Sequence, residues 1–170
     1  MVGFDDLSRE DLMKVIQVYA KNLLAHDGCW FLAAEEKLGI DGAIKLDEEA
    51  WNRFAVVEAK RIMKEFNISP GSGLKGLERT LALRLYAAIN KQTIEWVDEQ
   101  TIIFRMVECR VQKTRMEKDL PAFPCKSVGM VEFSQFARTI DDRIKTECVN
   151  CPPDPVHSSF CQWRFSIDGE

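Results

Sequence analysis

Glu147-Cys-Val-Asn-Cys-Pro-Pro-Asp-Pro155, followed by Phe160-Cys-Gln-Trp-Arg-Phe-Ser-Ile167, is the stretch whose reading decides the fold. In its second part Cys161, Trp163, Phe165 and Ile167 alternate with Gln162, Arg164 and Ser166, the period of a half-buried strand. Before it, Arg143 to Val149 alternates the same way, with Ile144, Thr146 and Cys148 on one face. The prolines between them exclude any ladder. The stretch therefore reads as a wide hairpin that can bring Cys148 and Cys161 together at its open end, with Cys151 in the loop just above.

Working outward, the segment from Gln92 has the same period. Ile94 and Trp96, then Ile102, Phe104 and Met106, alternate with polar neighbours around an Asp98-Glu99-Gln100 turn. Cys109 falls at the end of this second strand, on the face opposite Met106. Val111 to Lys118 is compatible with a short helix, and Ser127 with the start of a helix running to Ile140. The front of the chain is helical. Ser8 and Asp11 form an N-cap pattern, and Leu12, Ile16, Tyr19 and Leu23 make one apolar stripe. That helix is expected to bend at Asp27-Gly28 and to stop at Gly39. A second helix begins near Asp47, with Trp51, Phe54, Ala55, Ile62 and Phe66 as its stripe. A third spans Ser72 to Asn90. The sum is a single α+β domain over residues 1–170, helical over 1–90, with N-terminal helices on a four-stranded, mostly antiparallel sheet over 91–170.

Composition narrows the function. The net charge of -4 and pI near 5.4 speak against a nucleic-acid binder. No run of apolar residues is long enough for a membrane span, and the acidic start Met1-Val-Gly-Phe-Asp-Asp-Leu7 is unlike a signal peptide. A cytoplasmic protein is expected, and there six cysteines point to metal, chemistry or burial more than to disulfides.

A zinc ion, or alternatively an iron–sulfur cluster, needs three or four converging thiolates, and Cys148-Val-Asn-Cys151 supplies two from one loop. Cys125 and Cys161 complete the expected set, with Cys109 or His157 as substitutes. A Cys148–Cys151 redox pair is the competing chemistry. In the helical half, His26 and Glu58 are polar groups on apolar stripes. Together with Trp30 and Trp51 they are candidates for the wall of a ligand pocket.

The tail Glu147-Cys148 … Cys161-Gln-Trp-Arg-Phe165, after the Cys125 … Gly129 helix entry, resembles the closing motif of the 4-vinyl reductase domain family. Those domains share a fold with the Bet3-like vesicle-tethering subunits. The whole chain, with His26-Asp-Gly-Cys-Trp-Phe31 and Cys151-Pro-Pro-Asp154, looks like an uncharacterised prokaryotic "cytosolic protein" family related to the amino-thiazoline carboxylate hydrolase-like group. The resemblance implies a ligand-binding α+β fold, a homodimer, and cysteines that hold zinc. Three functions follow as expectations. The first is a small-molecule-binding or sensor-like domain with a cysteine-ligated metal. The second is a hydrolase of a small sulfur- or nitrogen-containing acid, and the third an interaction module whose cysteines are core residues.

Overall fold

A computed structural model describes residues 3–155 and 159–168. Four helices precede or interleave with one four-stranded antiparallel sheet, an α+β architecture. The helices are α1 (Arg9–Glu65), α2 (Gly73–Leu81), α3 (Arg110–Glu117) and α4 (Lys126–Ile140). The strands are β1 (Lys91–Asp98), β2 (Thr101–Glu108), β3 (Lys145–Asn150) and β4 (Cys161–Ser166), in the order β1-β2-β4-β3.

Helix α1 starts as its sequence dictates, with the Ser8 hydroxyl accepting the Asp11 N–H at 3.1 Å. It runs through Asp27-Gly28 without the expected bend. The interruption lies at Gly39, whose φ of 73° and ψ of 170° are outside the helical region and suit a residue without a Cβ. Gly39 divides α1 into two arms, and the second arm starts directly after it rather than near Asp47. The expected third helix is also shorter. It stops at Leu81, and a separate 3₁₀ turn follows over Leu85–Ala88.

The second arm of α1 supplies the row Trp51, Ala55, Ala59 and Met63, all buried, at a spacing of four that keeps them on one face. The two alanines let the backbone of α4 approach closely. On the other side of α4, Phe133 meets Phe104, Trp163 and Phe165 with ring centroids 5.5, 4.8 and 6.1 Å apart. Phe104 faces Trp163, and Ile102 faces Phe165, across the β2–β4 ladder. Helix α4 is therefore the axis of the core, between α1 and the sheet. The hairpin β3–β4 forms as expected, with Cys148 opposite Trp163 and a register shift before Asn150. Among the described residues no helix is long and apolar enough to cross a membrane.

Candidate functional site

A cavity of about 340 Å³ lies between the two arms of α1, α3, the loop before α4, α4 itself and β4. Its floor is one face of α4, on which Cys125, Val128, Gly129, Glu132 and Phe133 recur at three- and four-residue steps. Phe31, Trp51, Tyr86 and Phe123 add aromatic walls. At Gly129 the helix passes so close to the Trp163 indole that a Cβ there would meet Trp163 Cζ2 at 2.6 Å. The indole N–H of Trp163 is fully buried and has no hydrogen-bond partner among the described residues.

Thiols gather at one end. Cys125 is the N-cap residue of α4, and its sulfur lies 3.5 Å from that of Cys151. Two backbone devices hold them there. The Lys126 N–H donates to the Pro152 carbonyl at 3.0 Å, tying the start of α4 to the proline loop. Asp154 accepts from the Cys151 N–H and pairs with Lys126 Nζ at 2.8 Å. Gln112 adds a third: its amide exchanges two hydrogen bonds with the Phe123 backbone, and its Nε2 also donates to Cys125 Sγ at 3.5 Å. A hydrogen bond from Cys151, helped by Gln112, holds the Cys125 thiol below its usual value, while burial opposes this. Cys151, bonded to Cys125 and to Cys161, is driven far upward and stays protonated.

Carboxylates gather at the other end. Arg84, almost wholly buried, sits 2.8 Å from Glu58 and 2.7 Å from Glu132. Its guanidinium also lies over the rings of Trp51, Tyr86, Phe133 and Phe136 at 4.6 to 5.7 Å. Two carboxylates thus share one cation, and Glu132 faces the cavity. Burial pushes the Glu132 carboxyl up despite Arg84. Burial, helped by the charges of Asp27 and Glu132, pushes Asp47 up to about 7, against a hydrogen bond from Trp51.

The residues singled out from sequence are distributed differently from the expectation. Trp51 lines the cavity, but Trp30 is 69% exposed, His26 is exposed, and Glu58 stands behind the wall as a partner of Arg84. Of the expected zinc ligands, Cys125, Cys151 and Cys161 come together. Cys148 does not line the cavity; it is half-buried in β3 and packs beside the core. Cys109 leaves the strand as the N-cap residue of α3 and so lines the cavity together with Met106, instead of facing the other side of the sheet. Burial pushes its thiol up to about 12. His157 lies outside the described residues. Among those described, no group of three or more His, Cys, Asp or Glu is arranged to share one ion.

Sequence reasoning missed Arg84, Gln112 and Glu132. Glu132 had a readable signal, since it lies four residues before Phe136 on the inward face of the expected helix. Arg84 and Gln112 had none, because their partners are distant in the chain.

Residues 5–167 match the family of unknown function DUF6125, and the chain belongs to that family. No curated protein matches. Among solved structures, one match is the crystal structure of a trafficking protein particle complex subunit 3 from Naegleria fowleri covalently bound to palmitic acid. It shares 8% identity with a TM-score of 0.49, over 95% of this chain and 98% of that one.

Proposed function

We propose that this chain is a small-molecule-binding domain that holds its ligand in the cavity over α4. The observation that carries the proposal is the gathering of carboxylates, Glu58 and Glu132 beside Asp47, at one end of a mainly apolar cavity whose lining cations are Lys21, Arg110, Arg115 and Lys118. Glu58 and Glu132 share a single arginine inside the core. A buried charge without a full complement costs several kcal/mol, and a ligand cation offsets that cost. At about 340 Å³ the cavity has room for a small molecule. The proposed ligand thus has an aromatic or aliphatic body against Phe31, Trp51 and Phe133, and an amine directed to Asp47 and Glu132. An acceptor near the opposite end would satisfy the unpaired Trp163 N–H, whose isolation otherwise costs about 1–3 kcal/mol.

A thermal-shift series tests this with phenethylamine, phenylpropanol and phenylpropionate. The amine is expected to raise the unfolding midpoint most and the carboxylate least. A reversed order, or no shift with any of the three, sinks the reading. Self-association belongs to the same proposal. Leu12, Ile16, Tyr19 and Leu23 on the first arm of α1 are all exposed and offer the face on which a second copy packs.

A further inference from the structure

We propose that the Cys125–Cys151 pair is a thiol–disulfide exchange site for small disulfides, with Cys125 as the attacking thiol and Cys151 as the resolving one. The two sulfurs are 3.5 Å apart, so modest side-chain rotation brings them to bonding distance. Their backbones are fixed beside one another by the Lys126 to Pro152 hydrogen bond and the Asp154 bridge. The pair is not sealed in hydrocarbon: both cysteines line the cavity, Cys125 half-buried and Cys151 at 1% exposure. That asymmetry assigns the roles, because an incoming disulfide meets Cys125 first.

The surroundings support the same assignment. Cys125 is the N-cap residue of a 15-residue helix, whose dipole favours an anion at that end, and the Gln112 amide donates to its sulfur. Cys161 is near enough to Cys151 to raise its thiol as well.

The exchange balances as follows. The Cys125 thiolate attacks one sulfur of a disulfide RSSR, forming a Cys125–S–S–R bond and releasing RS⁻. That RS⁻ takes the proton of Cys151. The Cys151 thiolate then attacks the Cys125 sulfur, the bond to R breaks, and a second RS⁻ leaves. The protein pair is oxidised to one internal disulfide, and RSSR is reduced to one thiol and one thiolate. The site is independent of which molecule occupies the rest of the cavity.

Peptide mapping by mass spectrometry after incubation with glutathione disulfide tests the proposal. In the unaltered chain the expected product is a Cys125–Cys151 cross-link with the loss of a pair of hydrogens. In Cys151→Ser the expected product is a stable glutathione adduct on Cys125. Recovery of both cysteines as free thiols, a cross-link to another cysteine, or an adduct confined to the exposed Cys29 overturns it. Where Cys151→Ser fails to fold, the map of the unaltered chain decides alone.

Discussion

The two arms of α1 carry stripes of the same kind and meet opposite fates. In the second arm Trp51, Ala55, Ala59 and Met63 are at most 8% exposed, packed under α4. In the first arm Leu12, Ile16, Tyr19 and Leu23 are 38 to 58% exposed. Both stripes have helical spacing, so periodicity does not distinguish them. What differs is the neighbour. The second arm has α4 alongside it. The first arm meets the rest of the chain at scattered points: Phe4 lies edge-on to Tyr19 at 6.5 Å, Phe31 meets Phe123 at 4.9 Å and Glu35 pairs with Arg115 at 3.1 Å. An apolar stripe states a need for a partner without naming one.

The comparison breaks most visibly at Glu58, the polar member of the buried arm. Removing one partner of a buried ion pair costs about 3–5 kcal/mol. Glu58→Ala is expected to lose that much in urea unfolding, with Glu58→Gln losing less, because Gln keeps an acceptor for Arg84. A loss below 1 kcal/mol would mean that Glu132 alone suffices for Arg84, and the surplus carboxylate would be Glu58, behind the wall, instead of Glu132 on it.

A smaller effect is expected at Gly129, where α4 meets the sheet. An added methyl must displace the Trp163 ring, since its carbon would lie 2.6 Å from Cζ2. Overpacking of this kind costs about 1–3 kcal/mol. Gly129→Ala should show that loss in thermal unfolding together with a change in tryptophan fluorescence. An unchanged spectrum would show that the helix shifts as a unit and that the contact is not rigid.

Much of the fold was legible in the sequence for a physical reason. Strand alternation in Ile102 to Met106 and Cys161 to Ile167, the Ser8 cap and the Gly39 stop are local signals, and the structure contains each of them. The thiol cluster was legible in part, since the proline loop does carry Cys151 to Cys125 and Cys161. The place of Cys148 outside the cavity lining was not legible, because pairing in a hairpin fixes which residue lies opposite, not which sulfurs meet. Cys148 faces Trp163, and the bulge before Asn150 resets the register beyond it. Arg84 and Gln112 were invisible because their partners lie tens of residues away or in irregular loop.

The acidic end of the cavity makes a pH prediction with a definite sign. Asp47 is raised from its ordinary 3.8 to about 7, so the folded chain binds a proton there that the unfolded chain has released. This contribution therefore favours the fold at low pH, is lost as pH rises from about 4 through about 7, and is flat above. In Asp47→Asn that part of the slope should vanish, with the variant gaining on the parent toward neutral pH. Parallel pH profiles of the urea midpoint for the two proteins would show that Asp47 is hydrated and does not belong to the acidic wall.

The smallest effect on stability is expected on the exposed arm. Ile16 is 50% exposed, so its exchange for serine removes little buried area from the isolated chain. Substitutions at such sites fall within about 0.5 kcal/mol, and the unfolding midpoint of dilute Ile16→Ser should match the parent. The same variant should nevertheless lose self-association in sedimentation velocity at high concentration, because the stripe would there be the contact between copies. A large loss of stability in dilute solution would mean that the first arm folds back onto its own chain. The two arms would then differ in which surface they cover, and both stripes would be core.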